Sequence, residues 1–317
     1  MTEFDLIRRY FTRASPNALL GVGDDAALLQ VSAGNVLAVS TDMLVSGIHF
    51  LPDADPYMLG HKTLAVNLSD MAAMGATPCW ATLAIALPDA DEAWLERFSA
   101  GFFALADQYG VELVGGDTTR GPLNLCVTIF GEIPARQALL RSGAQIGDEV
   151  WVSGTLGDAA LALAHLKNHV VLTAEVFAAC APALHQPQPR VALGVALRGI
   201  AHSAIDISDG LLGDLGHILD ASQVAAEIDF EMLPVSTVMH AYVQQPLGRQ
   251  CVLSGGDDYE LCFTAPVVRH AEILNISTRL ALPLTCIGKI VAGRGWVVHD
   301  ASGNLFDVET SGYDHFR

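Results

Sequence analysis

Apolar residues recur at two spacings along the chain. Short runs of apolar and β-branched residues predict strands at 36–40, 82–87, 111–114, 125–133, 149–153, 204–207 and 260–264. Apolar residues repeating every three or four positions predict helices at 4–13, 56–70, 94–109, 158–167 and 211–219. Asp55-Pro56 is a helix-start signal, and Gly110 is a helix-end signal. Strands and helices that alternate in this way are typical of α/β proteins.

A connecting segment separates two series of elements. Residues 134–147 carry neither spacing, and a new series of strands and helices begins at Glu149. A chain of 317 residues is long enough for two domains, each with its own core. We therefore predict domains at 1–138 and 139–317.

The chain is strongly acidic, with a formal net charge of −18. Nucleic acids and anionic membrane surfaces are bound largely through Lys and Arg, so the charge argues against both as partners. It also serves solubility, and that accounts for most of the scattered Asp and Glu residues.

Cysteine usage and the N-terminus predict a cytoplasmic protein. The six cysteines show no C-x-x-C spacing, and most lie in apolar runs such as 125–127 and 261–263, so they are expected to be buried free thiols. The first residues are acidic where a secretory signal would be basic. No uncharged apolar stretch of about 18 residues occurs, so no membrane span is expected.

Six short segments place acidic residues directly after glycines or small polar residues, and we interpret them as loops. They are Gly21-Val22-Gly23-Asp24-Asp25, Ser40-Thr41-Asp42, Asn67-Leu68-Ser69-Asp70, Gly115-Gly116-Asp117, Asp206-Ile207-Ser208-Asp209 and Ser254-Gly255-Gly256-Asp257-Asp258. Several follow predicted strands, at the sheet edge where ligands gather in open α/β sheets. Two carboxylates about 4 Å apart repel by roughly 4 kcal/mol near a protein surface, and divalent cations with oxygen ligands remove that repulsion. The pattern therefore predicts a magnesium site that holds several ions, and magnesium points to phosphate chemistry.

Each acidic residue also has a simpler interpretation. Taken singly, an Asp in such a segment is more often a turn former or a helix cap than a metal ligand. Asp70 is the least cap-like, because it lies inside a helical pattern. Six independent segments of this kind are improbable as coincidence, which favours the metal interpretation for the set.

Two common phosphate-binding architectures are excluded. The three lysines, Lys62, Lys167 and Lys289, do not follow a glycine-rich turn at the spacing that P-loop proteins or protein kinases require. Gly21-Val22-Gly23 lacks the third glycine of a dinucleotide fingerprint. Phosphate groups would instead be held by metals, glycine-rich backbone and a few arginines, for which Arg120 and Arg141 are candidates.

In their order along the chain, these segments resemble the thiamine-monophosphate kinase family of the aminoimidazole ribonucleotide synthetase-like superfamily. The resemblance also covers the segments 47–50, 65–76, 117–121, 141–143, 206–211 and 255–261, and so spans the whole chain. It implies an α/β plus α+β protein in which the N-terminal sheet domain dimerises and an α+β C-terminal domain completes the active site. The implied activity is direct transfer of the γ-phosphoryl group of ATP to thiamine monophosphate, which gives thiamine diphosphate.

The resemblance also assigns roles to individual residues. Magnesium ligands would be Asp25, Ser40, Thr41, Asp42, Asp70, Asp117, Asp206 and Asp209. ATP would contact Gly116, Arg141 and Ser208, and the thiamine substrate would contact His49, Glu260 and Tyr313. No general base is assigned, because the attacking group is already a phosphate oxygen. Asp257 departs from the family pattern, which has Glu there and therefore a longer side chain.

Three alternatives remain open at this point. Selenophosphate synthetases carry a reactive N-terminal Cys or selenocysteine beside Lys, whereas the first cysteine here is Cys79. Hydrogenase-maturation relatives end in cysteine, whereas this chain ends in Arg317. A non-catalytic protein that binds nucleotide or thiamine phosphate is the third alternative, and the full set of acidic segments argues against it.

Overall fold

A computed structural model describes residues 2–305 of the chain, so that Tyr313 lies outside the described residues. Within that range the chain divides into two compact units. Unit 1 contains the residues up to Met71 together with Ala76–Arg136, and unit 2 contains Ala72–Gly75 and the residues from Gln137 onward. No helix in the described range is long and apolar enough to cross a membrane.

Unit 1 is built on a four-stranded sheet with strand order β1-β4-β2-β3. The strands are β1 (Asn35–Val45), β2 (Thr77–Leu87), β3 (Glu112–Arg120) and β4 (Asn124–Pro134). β4 runs antiparallel to β1 and β2, and β2 runs parallel to β3. β1 is an edge strand, and it pairs with β4 without interruption from Asn35 opposite Pro134 to Val45 opposite Asn124.

Two predicted helix limits in unit 1, the start at Pro56 and the end at Gly110, are confirmed. Helix α1 (Glu3–Leu6) continues as a π-helical turn, Ile7–Phe11, and is followed by α2 (Pro56–Ala73) and α3 (Glu92–Tyr109). The N–H groups of Tyr57 and Met58 donate to the Asp55 carboxylate, which confirms the predicted cap of α2. Gly110 ends α3 in the left-handed conformation, with φ of 67°.

Two of the acidic segments are strands and not loops, and a third, residues 67–70, lies inside helix α2. β1 was expected to stop at Thr41-Asp42, but it continues to Val45 because β4 supplies pairing partners along its whole length. β3 was expected to end before Gly115, but it includes Gly115, Gly116 and Asp117, which pair with β2. The ladder hydrogen bonds outweigh the turn preference of Gly, Thr and Asp. The strand-end interpretation of these two segments is therefore wrong.

Unit 2 is built on a six-stranded mixed sheet with strand order β10-β7-β9-β5-β8-β6. Its strands are β5 (Asp148–Ser153), β6 (Ser203–Asp206), β7 (Ala225–Asp229), β8 (Leu261–Pro266), β9 (Leu284–Val291) and β10 (Gly295–His299). Its helices are α4 (Asp158–Leu166), α5 (Ala174–His185), α6 (Val191–Ala196), α7 (Leu211–Ser222), α8 (Pro246–Ser254) and α9 (His270–Leu280). β5, β6, β8 and the leucines of α7 contribute to a contiguous apolar core.

Thiol burial is uneven across the described cysteines. Cys180, Cys251 and Cys262 are buried, whereas Cys79, Cys126 and Cys286 are only partly so, and all six are free. Burial raises the pKa of Cys251 to about 12 and that of Cys79 to about 11. The cysteines are free as predicted, but the prediction that they are buried holds for only three of them. Burial suppresses thiolate formation at Cys251 and Cys79.

Candidate functional site

Alternate residues of β1 face the helix layer of unit 1. The Ser40 hydroxyl donates to Oδ2 of Asp70, which lies on α2. The N–H of Asp42 donates to Oδ1 of Asn67 over 3.2 Å, and Leu44, two residues further on, is buried. Because side chains two apart on a strand share a face, Ser40 and Asp42 lie on the side of the sheet that α2 covers. α2 presents Asn67 and Asp70 one turn apart on the same side, as predicted.

The intervening residues of β1 face the opposite, open side of the sheet. Thr41 Oγ1 is 2.9 Å from Thr128 Oγ1 of β4. Asp117 of β3, Cys126 of β4 and Met43 of β1 all line an open depression of about 340 Å³ on this side. The structure therefore brings Ser40, Asp42 and Asp70 together on one face and places Thr41 and Asp117 on the other.

The first acidic segment lies on the surface of unit 1. Asp25 is exposed, and its N–H donates to Oδ1 of Asp24 over 3.0 Å. His49, by contrast, accepts at Nδ1 the N–H of Val45 over 3.0 Å, which ties its ring to the end of β1. Gly116 is held tightly against the neighbouring strand, because a Cβ atom at that position would lie 1.9 Å from the Leu83 carbonyl oxygen.

The described carboxylates are not arranged as a preformed metal-binding site. Among residues 2–305, no group of three or more His, Cys, Asp and Glu side chains is arranged to hold a metal ion. The chemistry of the donors nevertheless fits magnesium, which prefers carboxylate and hydroxyl oxygens and retains several waters of its own. The Ser40, Asp42 and Asp70 side of β1 is the part of unit 1 where such donors converge.

In unit 2, a buried aspartate organises the segment that follows β6. Oδ2 of Asp214, on α7, accepts the N–H groups of Ser208 and Asp209, each over 3.0 Å. Burial, together with the smaller effect of the nearby charges of Asp206 and Asp209, raises the pKa of Asp214 to about 7. Three carboxylates thus share one small region, where a cation would relieve their repulsion.

Asp214 was missed in the sequence because α7 was interpreted only as an apolar helix. It lies between Leu212 and Leu215, both buried. A single acidic residue on the buried side of a helix needs hydrogen-bond donors, and the adjacent Ser-Asp-Gly segment could supply them. That combination is the signal that would have identified it.

Glu260 lies directly before β8 and is buried, with a side chain that is 6% exposed. Arg190 contacts both of its carboxylate oxygens, with Nε 2.7 Å from Oε2 and Nη2 close to Oε1. The Ser153 hydroxyl of β5 also donates to Oε2. Neither Arg190 nor Ser153 was singled out in the sequence, because each lies 70 or more positions from Glu260.

Arg141 is exposed in unit 2, in the segment that precedes β5. The Ser222 hydroxyl at the end of α7 donates to the Arg141 carbonyl oxygen over 3.4 Å, and it accepts the N–H groups of Gly143 and Ala144. These bonds order the Arg141-Ser142-Gly143 backbone. Arg120 lies on the surface of unit 1, where its Nε donates to the Pro88 carbonyl oxygen over 3.2 Å.

Both parts of the chain match one enzyme family. Residues 23–133 match the N-terminal domain of AIR synthase related proteins, and residues 145–300 match the C-terminal domain of the same proteins. The mixed strand and helix content of the two units agrees with that pair of domains. The two matches together define the class as AIR synthase related.

Similar proteins narrow the class. Thiamine-monophosphate kinase of Escherichia coli K12 is 48% identical over 318 residues, covering 99% of this chain and 98% of the relative. A crystal structure of thiamine-monophosphate kinase from Stenotrophomonas maltophilia is 49% identical, with a TM-score of 0.85 and 95% of each chain covered. A structure of AaThiL complexed with AMPPCP and TMP is 32% identical, with a TM-score of 0.78 and 90% and 89% coverage. The chain belongs to the thiamine-monophosphate kinase family.

Proposed function

We propose that this protein transfers the γ-phosphoryl group of ATP to the phosphate of thiamine monophosphate, producing thiamine diphosphate in the last step of that synthesis. The observation that carries the proposal is the full-length similarity to thiamine-monophosphate kinases, 48% identity over 99% of the chain. The AaThiL structure complexed with AMPPCP and TMP supports both substrates.

The chemistry needs charge neutralisation more than covalent help. Donor and acceptor are both anions, and the acceptor oxygen needs no general base to activate it. Bound magnesium would neutralise the phosphates and bring their oxygens into line. The proposed ligands are Asp25, Ser40, Thr41, Asp42, Asp70, Asp117, Asp206 and Asp209. The helix-facing Ser40, Asp42 and Asp70 support this assignment, because they bring hard oxygen donors to one face of unit 1.

For nucleotide binding we propose backbone and arginine contacts. Gly116 would let phosphate oxygens approach the chain closely, because it carries no side chain at an exposed point of β3. Ser208 lies in a segment whose N–H groups are held in place by Asp214. Arg141 is exposed and bears the positive charge that an anionic nucleotide needs.

For the thiamine substrate we propose contacts with His49, Glu260 and Tyr313. The thiazolium ring is cationic, so a carboxylate and an aromatic face suit it. Glu260 supports the proposal because it is held rigidly by its partners, and a fixed carboxylate can orient a ligand.

We further propose that two copies associate through the open face of the unit 1 sheet, and that the protein works in the cytoplasm. Exposed apolar side chains on this side of the edge strand support the association: Leu37, Val39 and Met43 are 41%, 54% and 53% exposed. A second copy would remove that apolar area from water.

Product analysis tests the proposal directly. Purified protein is incubated with ATP, magnesium and thiamine monophosphate, and thiamine diphosphate and ADP are quantified by chromatography. We expect equal amounts of both products, and none when a chelator is in excess. Binding of both ligands without turnover would instead support a non-catalytic sensor.

Solved structures of the hydrogenase-maturation protein HypE share the fold at 23% identity or less. Because one fold can carry several activities, this likeness does not indicate that the chain acts as HypE does.

A further inference from the structure

We propose that Arg190 is a positioning residue for the thiamine substrate: by gripping both carboxylate oxygens of Glu260, it sets the orientation in which that carboxylate meets the substrate. The inference rests on the proposed function and extends it to a residue that the sequence did not single out.

The contact between the two side chains is two-pronged. Nε of Arg190 is 2.7 Å from Oε2 of Glu260, and Nη2 contacts Oε1. Two parallel N–H···O bonds fix the plane of a carboxylate as well as its position, which one lysine ammonium cannot do. The Arg190 side chain is 24% exposed, whereas that of Glu260 is 6% exposed, so the pair is largely shielded from water.

A hydroxyl completes the support on the side of the sheet. Ser153 is fully buried at the end of β5, and its hydroxyl donates to Oε2 of Glu260. The same hydroxyl oxygen accepts the N–H of Leu261 over 2.9 Å. The Ser153 side chain therefore links Oε2 to the backbone of β8. Arg190, the residue directly before α6, contacts the same oxygen.

The backbone beside the carboxylate is shaped to receive it. Gly154 has a φ of 59°, and a Cβ atom there would lie 2.0 Å from Oε1 of Glu260. Only glycine leaves room for the carboxylate at this point. Contacts with Arg190, Ser153 and Gly154 thus fix the position of the Glu260 carboxylate.

The pairing also changes what Glu260 can offer a ligand. The positive charge of Arg190 offsets the negative charge of the carboxylate, so the pair acts as an oriented acceptor with little net charge. Recognition of the substrate would then depend on the direction of the carboxylate more than on bare attraction between opposite charges. Loss of Arg190 should therefore weaken substrate binding, although it would unmask a negative charge facing a cation.

Steady-state kinetics of the full chain tests this inference. The variants are Arg190→Met, Arg190→Lys, Glu260→Gln and the double variant Arg190→Met/Glu260→Gln. We expect Arg190→Met to raise the KM for thiamine monophosphate roughly 10- to 100-fold. The KM for ATP should stay within about twofold, since only the thiamine contact is misplaced. Arg190→Lys keeps the positive charge but loses the two-pronged contact with the carboxylate, so it should also raise the KM for thiamine monophosphate. The double variant should be no worse than Glu260→Gln alone, because the two residues act as one unit.

Arg269→Met is the matched control. Arg269 pairs with Glu272 over 2.6 Å in the same unit, but both side chains are 45% exposed. Its loss should leave both KM values unchanged. Circular dichroism and thermal melting confirm folding, and if Arg190→Met does not fold, Arg190→Lys decides the question.

The outcomes separate the two proposals. No thiamine diphosphate from the wild-type chain would count against the proposed function. An active wild type whose KM for thiamine monophosphate is unchanged or lowered in Arg190→Lys and in any folded Arg190→Met would overturn the role of Arg190. Equal increases in both KM values would also overturn it, because a general structural effect does not distinguish the substrates.

Discussion

The N–H of Gly157 donates to Oδ1 of Asp258 over 2.9 Å, although the two residues lie 101 positions apart. Gly157 precedes α4, and Asp258 belongs to the last acidic segment before β8. Asp258 therefore ties the start of α4 to that segment. The carboxylate is largely withdrawn from water, and burial raises its pKa well above the ordinary value.

The first prediction concerns pH. Because the pKa of Asp258 is raised in the folded state, its contribution to stability is complete below the unfolded value of about 4 and is lost as pH rises toward the folded value. Asp258→Asn keeps an acceptor for Gly157 without a buried charge. We expect the difference in free energy of unfolding between variant and wild type to grow in favour of the variant from pH 5 to pH 8. Urea denaturation with a chelator present measures it.

Two further variants bracket this prediction. Asp258→Ala leaves the Gly157 N–H without its acceptor and should cost about 1–3 kcal/mol of stability. Asp220→Asn changes an exposed carboxylate on α7 and should leave the pH dependence as it is. Parallel pH profiles for wild type and Asp258→Asn would contradict the assignment.

The second prediction tests the proposed magnesium ligands. Asp42→Asn and Asp117→Asn each remove a negative charge from unit 1, on opposite faces of the sheet, and should lower kcat roughly 10²- to 10³-fold or more with the fold intact. Product assays at saturating substrate and thermal melting measure both effects. Asp89→Asn serves as the control, since that side chain is 82% exposed. Near-normal turnover in both ligand variants would mean that the metal assignment is wrong.

The third prediction separates two adjacent glycines of β3. A Cβ atom at Gly116, where φ is 152°, would lie 1.9 Å from a backbone oxygen of β2, so Gly116→Ala should destabilise the protein by about 1–3 kcal/mol. At Gly115 the same atom would lie 3.7 Å from the Thr82 side chain, an ordinary contact. Gly115→Ala should therefore cost less than about 0.5 kcal/mol. Equal midpoints in urea denaturation would contradict this.

The fourth prediction concerns association of two copies. Val39 is 54% exposed on the open face of the unit 1 sheet, and Val39→Glu would place a charge where apolar contact is proposed. We expect the wild type to elute as a dimer and Val39→Glu as a monomer in size-exclusion chromatography with light scattering. Val171→Glu, at a site 88% exposed in unit 2, should leave the mass unchanged. A monomeric wild type would remove the proposal.

The fifth prediction concerns the thiols. Burial raises the pKa of Cys251 to about 12, so hardly any thiolate forms there at pH 8. We expect iodoacetamide to leave Cys251 unmodified in the native protein and to modify it quickly in denaturant. Peptide mapping by mass spectrometry measures this. Fast modification of Cys251 in the native state would show that the residue is accessible.

Local signals allowed the sequence to predict much of the helical structure. Asp55 caps α2 and Gly110 ends α3, because caps act over a few residues of the chain. Strand limits in unit 1 depended on distant partners. β1 continues through Thr41-Asp42 because β4, about 90 residues later, pairs with it. The sequence around residue 41 contains no signal of that pairing.

The candidate site was predictable in its residue types and not in its supporting contacts. Their position after glycines or small polar residues identified Asp42, Asp117 and Asp209 as candidates from the sequence. The support of Glu260 by Arg190 and Ser153 joins residues 70 and 107 positions apart, and only folding brings them together. Contacts between residues so far apart depend on how the whole chain folds, so a local sequence pattern does not predict them.

The uninterrupted pairing of β1 with β4 has a consequence for insertions and deletions. Eleven residue pairs run from Asn35 to Val45 without a bulge. A shift of this strand by one residue would turn Ser40 and Asp42 away from α2 and bring Thr41 toward it. Loss or gain of one amino acid before Ser40 should thus exchange which oxygen atoms meet the helix, even where the composition of the strand is unchanged.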